Sequence, residues 1–201
     1  MLPDTRWSIE APSAQGWLHV FEPTMTEVMA VAPLLAAFYN DTHNSTMLTN
    51  TRELTVAEVV ETFQSLRAAG DRPFLLEQDG TLIGDADFRN IDGSEAEFAI
   101  LIGRRSQQSR GLGTRFAAMM HVAALRVLGF ERVYATVIPT NIASRRMLEK
   151  LGYQVDQSPR AASFADAEDD IAMSIDWGQF ERAHADLLTQ VVITARAPSP
   201  D

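Results

Sequence analysis

Asn141-Ile142-Ala143-Ser144-Arg145-Arg146-Met147-Leu148-Glu149-Lys150-Leu151-Gly152-Tyr153 is the stretch from which the fold can be read. Its spacing predicts a helix from about Asn141 to Leu151, closed by Gly152, and a strand from Tyr153 to Gln157. Working upstream, Arg132 to Ile138 reads as a strand, and Gly111 to Leu128 as a helix ended by Gly129. Downstream, Ile171 to Trp177 reads as a strand and Phe180 to Val191 as a terminal helix.

The N-terminal half supplies the antiparallel part. Phe74 to Gln78, Thr81 to Phe88 and Glu95 to Ile102 are strand-like runs. Asp79-Gly80 is a favoured two-residue hairpin turn, because glycine tolerates positive φ, and Asp92-Gly93 marks the next reversal. Before them, Thr55-Val56-Ala57-Glu58 has the form of a capping box ahead of an apolar stripe (Val56, Val59, Val60, Phe63, Leu66) that Gly70 stops. Trp17 to Phe21 reads as a strand. Thr26 to Tyr39 reads as a helix that Pro33 should kink or start late, and Asp41 to Asn50 as a loop. Residues 1–15 and 193–201 are expected to be loose or peripheral to a core over about 17–177. This order is a mixed α/β sheet flanked by helices, in one domain.

Gln108-Ser109-Arg110-Gly111-Leu112-Gly113-Thr114 lies between a strand and a helix whose apolar face includes Leu112, Phe116 and Ala123. Two glycines there let backbone amides approach an anion, and the helix start adds unsatisfied donors and a positive dipole end. A lone GxG before a helix is a weak signal. No GxxxxGK[ST] occurs, and a dinucleotide GxGxxG would need glycine where Phe116 stands. A dinucleotide-dependent oxidoreductase would also need a mostly parallel sheet, which the Asp79-Gly80 hairpin contradicts.

Taken together, Gln108-x-x-Gly111-x-Gly113 and Asn141 to Tyr153 resemble the coenzyme-binding segments of the GNAT superfamily of N-acetyltransferases. Asp170-Ile171-Ala172-Met173-Ser174-Ile175-Asp176-Trp177 is similar to the last strand of the branch that acetylates ribosomal-protein N-termini (alanine or serine). The resemblance spans about residues 17–177. It implies acetyl-CoA as co-substrate. The strand ending at Ile102 would splay from the strand Arg132 to Ile138, and pantetheine would pair with backbone groups of Ile100, Leu101 and Ile102. Amides of Ser109, Arg110, Gly111, Leu112, Gly113 and Thr114 would hold the pyrophosphate, and Asn141 would bond a pantetheine amide. Positions 141, 144, 145 and 148 share a helix face while Arg146 points away, so Arg145 is the better candidate for a coenzyme phosphate. A solvated face for Arg145-Arg146 is the equally plain reading.

In this family the amine attacks the thioester directly, after losing a proton. Glu97 matches the acidic position this branch often carries and is the chosen proton acceptor, set against an ordinary edge-strand carboxylate in water. Glu95 has the same parity, and Asp85 and Asp87 are further options. A backbone amide in Phe98 to Ile102 would hold the oxyanion. Many relatives carry a tyrosine seven residues after the asparagine. Leu148 stands there and cannot donate a proton, which leaves Ser144 to orient or relay to the sulfur, or the thiolate to depart unaided. The missing tyrosine also supports the alternative of a weak or inactive acyl-CoA-binding sensor or scaffold. The acceptor groove would lie between Thr26–Tyr39, Asp41–Asn50, Val56–Ala69 and the hairpin Gln157–Asp170. The acids Asp166, Glu168, Asp169 and Asp170 there suit a cation, or form a solvated turn. A protein N-terminus, a polyamine or a small amine would serve as acceptor.

Composition narrows the classes. The 201 residues are 46% hydrophobic and 22% charged, as in ordinary globular chains. No cysteine is present, which removes disulfides and thiolate chemistry, and the four histidines form no metal-binding pair, so no metal is expected. A net charge of −10 disfavours nucleic acid. No apolar run reaches membrane-spanning length, and the first residues lack the pattern of a secretory signal, so a cytoplasmic protein is expected. A homodimer is the prior for such a chain.

Overall fold

A computed structural model describes residues 5–48, 52–108, 110–165 and 167–197. Nine strands form one sheet in the order β7-β8-β6-β5-β4-β3-β2-β1-β9. In chain order they are β1 (Trp7–Ser13), β2 (Gly16–Phe21), β3 (Arg72–Gln78), β4 (Thr81–Asp92), β5 (Glu95–Ile102), β6 (Arg132–Val137), β7 (Tyr153–Val155), β8 (Ile171–Ile175) and β9 (Val192–Ala195). The β3–β4 hairpin turns on Asp79-Gly80, both at positive φ (49° and 73°), as its sequence requires. All neighbours run antiparallel except β5 and β6, whose parallel pairing comprises only Glu95 with Arg132, Ala96 with Val133, and Glu97 with Tyr134.

Side chains alternate across β5 and place two layers on opposite faces of the sheet. Ala96 and Phe98 join a core with α4 (Leu112–Ala123) and Leu148 of α5 (Ile142–Leu151). Leu101 joins a second core with Val28, Leu35 and Phe38 of α1 (Met25–Asn40) and Phe63 of α3 (Val56–Ala69). Within the first core His121 is fully buried. Its Nδ1 lies 2.7 Å from the Ala117 carbonyl, which can only accept, so Nε2 accepts from the Tyr153 hydroxyl at 2.6 Å. Burial pulls this imidazole down to about 4, and it stays neutral.

Several expectations need correction. The first helix does not start late at Pro33. Thr24 and Glu27 form a capping box ahead of Met25, and the helix continues to Asn40. Pro33 and Met29 lie on the exposed side, so the Met29 carbonyl that loses its N–H partner is left to water. Asp41 to Asn50 is not all loop: α2 (Thr42–Met47) forms because the Asp41 side chain takes the amides of His43 and Asn44 at 3.0 and 3.1 Å. Residues 49–50 lie outside the described chain. The terminal helix is two, α7 (Trp177–Ala183) and α8 (Ala185–Gln190), broken at His184, and the helix after Gly111 turns π-helical over 124–128.

The flanks expected to be loose are strands. β1 pairs with β2 on one side and with β9 on the other, and its Ile9 and Ala11 are fully buried. Glu22, after β2, accepts from the Trp7 amide at 2.7 Å and from Arg72 Nη2 at 2.7 Å, which pins the start of β1 against β3. Among the described residues no helix is long and apolar enough to cross a membrane, and no group of three or more His, Asp or Glu is placed to hold a metal ion.

Candidate active site

Beyond Glu97 no residue of β5 pairs with β6. Ile100, Leu101 and Ile102 pair with Ala86, Asp85 and Gly84 of β4, so their backbone groups on the β6 side face an opening. The splay read from sequence is therefore present, with Ile100–Ile102 along one lip and β6 leading to Asn141 on the other.

The lower end of this opening is the loop into α4. A Cβ on Gly103 would lie 2.1 Å from the Phe38 ring, so only glycine lets α1 seat against the end of β5. Asn44, buried in α2, donates from Nδ2 to the carbonyls of Phe38 and Gly103 at 2.9 Å each. Gln108 is part of the same brace. Its Nε2 donates to Ile102 O at 2.7 Å and Asn44 Oδ1 at 2.8 Å, so this side chain props the loop. Gly111 is the N-cap of α4, at φ 83°, and no side chain caps the helix. The first intrahelical bond runs from Arg115 N to Gly111 O at 3.0 Å, and the amides of Leu112, Gly113 and Thr114 have no carbonyl of their own helix to meet. Such a terminus suits a diphosphate. Ser109 lies outside the described residues.

On the other lip, Asn141 caps α5. Its Oδ1 accepts the Ser144 amide at 3.1 Å, which leaves Nδ2 for another partner. Ser144 and Arg145 are half-buried on the face the helical spacing predicts, while Arg146 is exposed. Arg145 Nε is held by Glu149 at 3.0 Å, an i,i+4 pair that partly occupies the cation assigned to a phosphate. Leu148 is buried in the core, where a tyrosine hydroxyl would have no water.

Carboxylates gather on the sheet face that carries α1 and α3. Antiparallel register sets Asp85 opposite Leu101, Asp87 opposite Ala99 and Arg89 opposite Glu97, so these side chains share one face. Glu97 is buried and accepts from Asn90 Nδ2 at 2.8 Å. Glu95, the second-choice base, is engaged: Arg160 Nε donates to it at 2.8 Å and the Tyr134 hydroxyl at 3.2 Å. Asp87 is bound by Arg89 through two bonds of 2.6 and 2.9 Å, and burial raises its carboxyl. Asp85 differs from these. Tyr39 donates to its Oδ2 at 2.5 Å, its buried Oδ1 has no partner among the described residues, and burial pushes it up to about 7. The hairpin after β7 contributes α6 (Pro159–Ala162), and Phe164 stacks on Tyr134 with centroids 4.9 Å apart. Asp170 is spent on a local turn, accepting the Ala167 amide at 3.1 Å, and Asp166 lies outside the described residues.

The sequence profile of the acetyltransferase (GNAT) domain matches residues 25–154. The chain belongs to the GNAT family. No curated protein sequence matches it significantly. Among solved structures, this GNAT chain superposes on Mycobacterium smegmatis RimJ in complex with CoA-disulfide with a TM-score of 0.71, at 19% identity over 94% of this chain and 96% of that one. It superposes on the aminoglycoside acetyltransferase AAC(6')-Ib in complex with paromomycin and acetyl-CoA with a TM-score of 0.68, at 18% identity over 82% and 96%. A chimeric spermidine N-acetyltransferase SpeG from Vibrio cholerae and hSSAT gives 0.64, at 16% identity over 81% and 97%. At these identities the likeness is one of fold.

Sequence reasoning named residues on both sides of the opening and Glu97, the last β5 residue paired with β6. It missed Tyr39, Arg89, Asn90 and Arg160, which decide the state of each carboxylate. Only Arg89 and Asn90 carried a local signal, standing beside Asp87 in a strand that otherwise alternates. Tyr39 and Arg160 arrive from elements 46 and 65 residues from their partners.

Proposed function

We propose that the protein transfers an acetyl group from acetyl-CoA to a primary amine by direct attack on the thioester. The observation that carries this reading is the parting of β5 from β6 immediately above an uncapped helix start, with carboxylates on the adjoining face. Acetyl-CoA enters as substrate: Leu112, Gly113 and Thr114 amides take the diphosphate, and Ile100–Ile102 with Asn141 line the pantetheine.

An ammonium cannot attack a carbonyl, so Glu97 takes its proton, directly or through water. The free amine adds to the thioester carbon, and a β5 amide facing the opening stabilises the oxyanion. The tetrahedral species collapses with cleavage of the C–S bond, the extra proton on the nitrogen passing to the departing sulfur directly or through water, with Ser144 near the sulfur to hydrogen-bond it. No acyl-enzyme is needed, in keeping with a chain that contains no cysteine. The acceptor lies over the face of Glu97 and Asp85. Structures of this fold named for aminoglycosides and spermidine make a cationic amine the class to test first.

Thiol release from acetyl-CoA with a panel of amines tests the proposal, and the expected result is acceptor-dependent turnover. Glu97→Gln should lower kcat by about 10²- to 10⁴-fold and leave coenzyme affinity nearly unchanged. Full activity in that variant across pH would remove Glu97 from the role. Coenzyme binding without turnover on any amine would favour an acyl-CoA-binding module instead.

A further inference from the structure

Three polar side chains away from the cleft stand in line across β1, β2 and β3. Ser8 Oγ lies 2.8 Å from His19 Nε2, and His19 Nδ1 lies 3.3 Å from Glu77 Oε2. Sheet register explains why they meet. Alternation sends Ile9, Leu18, Val20 and Leu76 into the core shared with α4, so Ser8, His19 and Glu77 project from the opposite face. His19 pairs with Glu10 on one side and Glu77 on the other, which gives the ring a carboxylate neighbour on each adjoining strand. Phe21, paired with Ser8, stacks on the imidazole with ring centroids 4.5 Å apart.

A carboxylate only accepts, so the neutral imidazole carries its proton on Nδ1 toward Glu77 and presents a bare Nε2 to the Ser8 hydroxyl. This is the order of nucleophile, base and orienting carboxylate that activates serine on unrelated folds, and geometry rather than chain position identifies it. Access is open, because the His19 and Glu77 side chains remain 27% and 25% exposed. Trp17, two residues along β2, and Val192, on β9 beside β1, are exposed on the same face and offer apolar surface. An oxyanion hole is not formed by β1: the strand is paired with β2 on one side and β9 on the other, so the ladder takes the amides around Ser8. Activated esters, whose leaving group departs without help, are therefore the substrate class, and amides are not.

We infer that Ser8 is a second reactive centre of this chain, a nucleophile that takes acyl groups from activated apolar esters with His19 as its base and Glu77 as a positioning residue. Its Oγ attacks the ester carbonyl while the hydroxyl proton passes to His19 Nε2. The C–O bond to the alcohol breaks, the alcohol leaves with that proton, and acyl-Ser8 remains. Water then attacks the acyl carbon, giving its proton to the same Nε2, and Ser8 takes that proton back as the acid is released. Ser8 and His19 precede residue 25, where the family match begins, and β1 to β3 lie away from the parting of β5 and β6. The reactive centre therefore stands apart from the acetyl-transfer reading.

Labelling of the full chain with a fluorophosphonate, located by peptide mass spectrometry, tests the inference. The adduct, in which a P–O bond replaces P–F, should sit on Ser8 and form about 10²- to 10⁴-fold more slowly in His19→Gln. Cleavage of p-nitrophenyl acetate should be slower in Ser8→Ala than in the wild type. Imidazole 15N spectra at alkaline pH should place the wild-type proton on Nδ1 and move it to Nε2 in Glu77→Ala. No adduct at Ser8 overturns the inference. So does an equal labelling rate in His19→Gln, equal ester cleavage in Ser8→Ala, or a wild-type proton on Nε2. Should thermal melts show that His19→Gln does not fold, Glu77→Ala takes its place, and labelling as fast as in the wild type then overturns the inference.

Discussion

The two faces of β5 treat buried ionisable groups in opposite ways. Beneath the Phe98 face, His121 has both ring nitrogens bonded and is packed edge-on against Phe98 at 4.7 Å and Phe88 at 5.8 Å. On the Glu97 face Asp85 is as deeply buried, yet one of its oxygens meets no partner among the described residues. Burial alone does not mark a site. An unmet carboxylate oxygen among these titratable groups says more, because a buried acceptor left unpaired is costly and natural cores satisfy nearly all of theirs. On the reading proposed above, His121 belongs to the scaffold and the Asp85 side keeps an acceptor for a cationic amine.

Adjacent substitutions on the two faces should sharpen this contrast most. Phe98→Ala removes a ring from the packed core and should cost about 3–5 kcal/mol in urea unfolding. Glu97→Gln, one residue away, keeps an oxygen for Asn90 and should change stability by less than about 1 kcal/mol while turnover falls. Were Glu97→Gln as destabilising as Phe98→Ala, the carboxylate face would be core and the functional assignment there would fail.

The same division explains what the sequence could reveal. Features set by neighbours in the chain were legible: the Thr55–Glu58 capping box, the Asp79-Gly80 turn, the left-handed Gly70 and Gly152, and the parity that puts Glu95 and Glu97 on one face. Both lips of the cleft belong to this class, each being a helix start after a strand. Features set across the fold were not. The Asp41 cap is local, but α2 is fixed by an Asn44 bond to Gly103, 59 residues away. The flanking strands β1 and β9 hold each other from opposite ends of the chain. Likewise no pattern in the sequence shows that Arg160 occupies Glu95 while Asp85 Oδ1 meets no partner among the described residues.

The pH dependence of stability tests the satisfied side. The imidazole of His121 is held down to about 4, against an ordinary value near 6.5, so the unfolded chain binds the extra proton first as pH falls. Its contribution is complete above pH 6.5 and is lost progressively as pH drops toward 4, by up to about 3 kcal/mol. Unfolding free energies of the wild type and of His121→Gln, measured from pH 7.5 to 4.5, should converge over this window. Parallel curves would show that the buried ring accepts its proton at no cost and is not the neutral anchor described here.

Asp85 should behave in the reverse sense and with smaller effect. Its folded carboxyl titrates near 7, well above its unfolded value, so the folded state binds the extra proton. That stability is fully present below about pH 4 and is lost as pH rises through 7. Asp85→Asn removes the charge and leaves an oxygen for the Tyr39 hydroxyl, so the variant should be more stable than the wild type at pH 8 by roughly 1–2 kcal/mol. The gap should close by pH 5, where the wild-type group is already protonated. A gap that stays constant from pH 5 to 8 would mean that Asp85 keeps its charge in the fold, satisfied like the groups on the other face. The distinction between spent and unspent capacity would then fail at the position where it is most exposed to measurement.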